Sequence, residues 1–155
     1  MGGLPVKWLL TLDQRITVAA FVVANLVCVG MGMGVPIFCI VFGFFVGWYI
    51  VKRVSLDDAD VRIVLQRTSI YSLIVPTSTL VLMLILWGPT VKMLFDPTAD
   101  LANFGIPLIL YEPKASFVGW LVLMILISPF LQLLTSLFSS HWTIVLWLQR
   151  DHDGS

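Results

Sequence analysis

The chain has 155 residues, 59% of them hydrophobic and only 12% charged, with a mean hydropathy of +0.98. Soluble domains run nearer to 45–50% apolar and about 25% charged, so this composition describes an integral membrane protein and excludes a soluble enzyme or binding domain. Nine basic residues balance nine acidic ones without forming a basic stripe, which argues against nucleic acid as a partner.

Residues 1–12 carry little charge and lead into an apolar run too long for a signal-peptide core, so no cleavable signal is expected. Position 6 is Val rather than Ser or Thr, and the myristoylation pattern is not met. Thr11 and Gln14 stand at capping-box spacing and predict a helix start there.

The stretch from Ile16 to Val51 contains no charge. As one helix it would be about 54 Å long, against a bilayer core of about 30 Å. The segment VGMGMGVPIF places Gly30, Gly32, Gly34 and Pro36 in its middle, the punctuation of one helix ending and another beginning. A tight hairpin of two spans is therefore predicted, over residues 13–31 and 36–54. Small residues recur every fourth position, at Ala20, Ala24 and Cys28 in the first span and at Cys39, Gly43 and Gly47 in the second. Such stripes let membrane helices approach closely. They predict packing of the first span on the second, or a Gly43/Gly47 face turned outward for homodimerisation. Cys28 and Cys39 flank the elbow at similar depth, where a disulfide is conceivable on an oxidising side and free packing residues are the default.

Ser55 and Asp58 suggest a second cap, with a helix from Leu56 running through Arg62 and Arg67 into a third span at 68–88. The outer loop, 89–114, predicts a short helix from about Pro97 to Phe104 and then an apolar piece, IPLILYEP, lying on the membrane, re-entering it or docking on another protein. A fourth span is expected at 116–138. Residues 139–150 either prolong it or turn along the surface. Pro76 and Pro129 each remove an amide donor and predict bends in the third and fourth spans.

The fold class expected is thus all-α: one membrane domain, four spans, both termini cytoplasmic, in a membrane of the plasma or bacterial inner type. That orientation puts Lys7, Arg15, Lys52, Arg53, Arg62, Arg67 and Arg150 inside and only Lys92 and Lys114 outside. Trp8, Trp48, Trp142 and Trp147 then fall at inner span ends, with Trp87 and Trp120 at outer ends.

Asp13, Arg15, Lys52 and Arg53 stand at the ends of the first two predicted spans and no Asp, Glu, Lys or Arg lies deeper within any of the four, which weighs against acid/base catalysis and carboxylate-driven transport in the bilayer. No metal-ligand set or phosphate loop is evident, and neither enzyme activity nor a resident cofactor is expected. His141 is the one histidine near the bilayer. Haem or chlorophyll ligation through it is a remote alternative to an interfacial histidine. Neutral polar residues remain: Asn25, Ser72, Pro76, Thr79, Ser128, Gln132 and Thr135 are the candidate lining of a conduit, in a small wet cavity of the inner half. The alternative is that Gln132 simply bonds across to a neighbour such as Asn25. The preferred function is association, as a homo-oligomer or as an accessory subunit of a membrane complex, through Ala20, Ala24, Gly43 and Gly47. The runner-up is a small channel or transporter for a neutral or weakly polar solute.

Overall fold

The computed structural model describes residues 10, 12–31, 37–57, 61–105 and 110–153, and these contain helices, turns and no strand. The chain runs α1 (Gln14–Met31), α2 (Ile37–Asp57), α3 (Val61–Tyr71), α4 (Ile74–Trp87), a 3-10 turn (Gly88–Phe95), α5 (Pro113–Val122), a π-helical turn (Leu123–Ile127) and α6 (Ser128–Asp153). Among the described residues three helical runs are long and apolar enough to cross a membrane: Ile37–Leu56, Val61–Phe95 and Pro113–Gln149. A fourth apolar helix, Gln14–Gly30, is shorter.

The predicted hairpin break falls between α1 and α2, and the elbow itself, 32–36, lies outside the described residues, as do Thr11 and Asp58. Helix α1 is capped by Asp13, whose Oδ1 accepts the Arg15 amide at 3.2 Å while its carbonyl accepts that of Thr17 at 2.9 Å. The expected helix start at Leu56 is not found. Apolar burial of Val51 and Val54 carries α2 on to Asp57, Ser55 turns its hydroxyl back to the Lys52 carbonyl at 3.1 Å, and the next helix begins at Val61.

The two prolines act differently. At Pro76 the run breaks: α3 stops at Tyr71, Ser72 and Leu73 form a turn, and Pro76 sits in the first turn of α4, where its missing amide costs least. At Pro129 the helix widens instead. The Ser128 amide reaches back five residues to the Leu123 carbonyl, and the π turn absorbs the donor that Pro129 lacks. Beyond it α6 continues as helix to Asp153, which resolves the path of residues 139–150.

The outer loop departs from expectation. Helix forms earlier, as the 3-10 turn at Gly88–Phe95, and residues 97–104 are turns rather than a helix. Asp96 and Asp100 direct their carboxylates onto their own loop: Asp96 Oδ1 accepts the Thr98 amide (2.9 Å) and hydroxyl (2.6 Å), and Asp100 accepts from Asn103 Nδ2 at 2.7 Å. Such Asx turns compete with helix. Gly105 ends the segment at φ 85°. Ser116 then pins the loop to α5, its hydroxyl accepting from the Leu110 amide at 2.8 Å and donating to the Leu110 carbonyl at 2.9 Å.

Apolar clusters close both ends of the bundle. Val51, Val54, Val64 and Ile144 pack at the end bearing the termini. Met83, Trp120 and Met124 pack at the other, beside Leu101, Phe117 and Leu121 under the loop. Between them α2 and α6 form the most extensive helix pair. A Cβ at Gly43 would lie 2.5 Å from the Gln132 carbonyl oxygen, and one at Gly47 would collide with the Ser136 carbonyl. The small stripe of α2 therefore seats α6, not α1, and faces inward. Its counterpart is the run of small polar side chains on α6, and two bonds cross the seam: Thr135 Oγ1 to the Ile40 carbonyl (2.8 Å) and Ser140 Oγ to the Gly47 carbonyl (3.3 Å). Helix α1 meets α2 through aromatic rings, Phe21 against Phe42 and Tyr49 at 5.8 and 5.0 Å. Ala20 is exposed and Ala24 half-buried. Cys28 and Cys39 are free thiols.

Candidate functional site

Two polar constructions stand out inside the bundle. The first joins three helices at mid-height. Asn25 of α1, Thr79 of α4 and Gln132 of α6 are fully buried. Asn25 Nδ2 donates to Thr79 Oγ1 at 2.8 Å, the Thr79 hydroxyl donates to Gln132 Oε1, and Gln132 Nε2 donates to Asn25 Oδ1 at 3.0 Å. Donors and acceptors alternate round a closed ring, so each bond polarises the next. The second Asn25 amide hydrogen reaches Ser78 Oγ at 3.3 Å. Each amide thus meets a partner where an unpaired one would cost several kcal/mol, of order 2–7, in an apolar medium.

Of the candidate lining residues, the fold brings Asn25, Thr79 and Gln132 together and spends their polarity on one another. Thr135 bonds across to α2. Ser72 and Ser128 are buried with hydroxyls that meet no partner among the described residues, as are Thr68, Ser136 and Ser139. Pro76 is buried beside Val75 in the first turn of α4. His141 is exposed, and its Nδ1 contacts the Leu137 carbonyl of its own helix at 2.9 Å. Among the described residues no group of His, Cys, Asp and Glu is placed to hold a metal ion.

The second construction is a cavity of about 130 Å³ at the end of the bundle that bears the termini. That is about ten times the ~10–15 Å³ that admits one water molecule. Its walls come from α1 (Gln14, Thr17, Val18, Phe21), α2 (Val46 to Val54) and the α3–α4 junction (Arg67, Tyr71, Ile74, Val75). Arg53 is held in it by hydroxyls: Nη1 donates to Tyr49 Oη at 3.1 Å and to Thr17 Oγ1 at 3.2 Å, and those two oxygens lie 3.4 Å apart. Gln14 Nε2 donates to Tyr71 Oη at 3.4 Å. Among the described residues two guanidiniums line the cavity, and no carboxylate does.

None of the candidate conduit residues lines this cavity. Of the residues that do, the sequence singles out only Gln14, at capping-box spacing, and Arg53 and Arg67, as markers of orientation. A sharper signal was present: Tyr49 with Arg53 and Arg67 with Tyr71 are both four residues apart, so each pair shares a helix face. What the spacing did not reveal is that the two faces meet across Thr17 and Val18 of α1. Searches for related proteins add no further guide, since no family model, no curated protein and no solved structure matches this chain.

Proposed function

We propose that this chain is a four-span membrane protein, with both termini on the cytoplasmic side, that acts by association with copies of itself or with another membrane protein, and not by catalysis. The observation that carries the reading is the direction in which polarity points. The mid-bundle amides and the Thr79 hydroxyl close on one another, whereas the flanks are apolar and aromatic: Phe38, Phe44 and Phe45 on α2, Phe130, Phe138 and Trp142 on α6. A solute path needs polar groups free to exchange bonds with what passes, and a closed ring offers none. What this protein presents to its surroundings is hydrocarbon, suited to lipid and to other helices.

A fourth crossing by α1 is supported by its bonds to α4 and α6, which hold it alongside the longer runs. Its 17-residue apolar stretch measures about 26 Å, a mismatch with a ~30 Å core that local thinning accommodates. The orientation is supported by the distribution of Lys and Arg and by the tryptophans at both ends of the spans.

The test is the mass of the particle extracted in its own lipid. A multiple of the 17.3 kDa chain, or a second co-purifying chain in fixed ratio, is expected. A bare monomer would remove the reading.

A further inference from the structure

We propose that the bundle encloses ordered water in the half that bears the termini, held by the hydroxyls of Thr68, Ser72, Ser136 and Ser139 in the seam between the α3–α4 break and α6. This site is separate from any surface for association and stands whether the chain is a monomer or an oligomer.

The unpaired groups come first. All four hydroxyl oxygens are buried and meet no hydrogen-bond partner among the described residues. Each can donate one bond and accept two. Their neighbours on α6 behave otherwise, since Thr135, Ser140 and Thr143 each bring a hydroxyl within 2.9 Å of a carbonyl one turn back on the same helix. Ser136 and Ser139 forgo that local bond, which leaves their hydroxyls for a partner off the helix.

Two contacts bracket the set. At one end Thr79 bonds to Gln132, and at the other Val64 and Ile144 share one apolar cluster. Thr68 and Ser72 lie between Val64 and Thr79 on one wall, Ser136 and Ser139 between Gln132 and Ile144 on the other. Gln132, Ser136, Ser139 and Thr143 follow the i, i+4, i+7, i+11 spacing of one helix face. The α6 hydroxyls therefore share the side from which Gln132 reaches Thr79.

The two walls differ in length. At the helical rise the path from Val64 to Thr79 is roughly 22 Å and that from Gln132 to Ile144 roughly 18 Å. Pinned at both ends, the longer arm bows, and its helix is interrupted within that stretch, at Ser72 and Leu73. Helix α3 packs closely on α2 and not on α6. The seam is thus lined by short hydroxyl side chains where the two arms stand apart.

Water fits this chemistry. A buried water needs two to four polar partners. Four hydroxyls supply them, together with the Ser72 carbonyl, which Pro76 deprives of its helical amide. The groups are neutral and both donate and accept, which suits water and not an ion. With the amide and hydroxyl ring closing one end and the apolar cluster the other, the water is enclosed and not conducted.

The experiment uses the full chain, carbon-13 labelled and in lipid bilayers, and measures by solid-state NMR the transfer of magnetisation from water protons to side-chain carbons. Transfer to the Cβ atoms of Thr68, Ser72, Ser136 and Ser139 is expected to be several-fold faster than to Met83 and Met124, which are as deeply buried in the other half. Thr68→Val and Ser139→Ala each take a partner from the water and are expected to raise the unfolding constant in detergent about fivefold. Ser69→Ala is expected to leave it unchanged, because that hydroxyl is exposed and bonds the Leu65 carbonyl of its own helix at 2.9 Å. Transfer no faster than to the two methionines would overturn the proposal. So would an unfolding constant that stays or falls in both variants, the result of deleting a dry hydroxyl, or an equal rise in Ser69→Ala. If a variant does not fold, transfer in the unmodified chain decides alone.

Discussion

At the scale of single residues the seam between α2 and α6 is the least forgiving part of the molecule. Gly47→Ala sets a methyl group against backbone rather than against a side chain that could swing away, so the helices must separate. The expected cost is about 2 kcal/mol, read as a lowered unfolding midpoint in detergent. Gly30→Ala, with nothing within 4 Å of the added carbon, is expected to leave the midpoint where it is. Gln132→Leu opens the ring and strands groups on Asn25 and Thr79, at roughly 1 kcal/mol, since bilayer hydrogen bonds average about 0.6. Combining it with Asn25→Leu should cost less than the sum of the two, the mark of a shared bond in a double-mutant cycle. Much of this was legible beforehand. A lone amide on each of two apolar helices has few places to go, which is why an Asn25–Gln132 bond was foreseeable. The facing of Gly43 and Gly47 was not, because a stripe of small residues shows how close a partner comes and not which helix it is.

At the scale of elements, what was readable depended on whether the local rule had a tertiary competitor. Helix breaks at the elbow and bends at both prolines follow from backbone chemistry alone. Whether a proline breaks the helix or widens it depends on what packs around it, and Pro76 and Pro129 divide on that point. The loop departs from the expected helix because Asp96 and Asp100, placed by sequence where a helix could start, give their carboxylates to turns instead. Both carboxyls titrate below the ordinary 3.8, Asp96 chiefly through its bond from the Thr98 side chain and Asp100 chiefly through that from Asn103. A value depressed in the folded loop means that the turns gain stability above the unfolded value of 3.8 and lose it as pH falls through the depressed range. Protection of the Thr98 and Asn103 amides, corrected for intrinsic exchange, is therefore expected to hold at pH 6 and decline below about pH 4. Asp96→Asn should show the reduced Thr98 protection at either pH.

For the whole molecule, the decisive quantity is sidedness. In a background lacking Cys28 and Cys39, a cysteine placed at Asp100 is expected to react with an impermeant reagent from the side opposite to one placed at Asp13. Labelling of both from one side would overturn the arrangement of spans. Composition made the helical membrane architecture plain, and charge bias made the orientation arguable. The amphiphilic cavity was hidden because it belongs to no single segment and exists only where four helices converge.

The pairing of α2 with α6 also sets a schedule for biogenesis. The two ends of the Thr135–Ile40 bond are 95 residues apart in sequence. At about 5–20 residues per second, the ribosome needs roughly 5–20 s to supply the second after the first. In the proposed four-span arrangement, the grooved side of α2 would face bare lipid throughout that interval. A nascent chain stalled before residue 132 should therefore be prone to capture by quality-control proteases or by foreign helices with small side chains, and the arrival of the last helix is the event that ends its vulnerability.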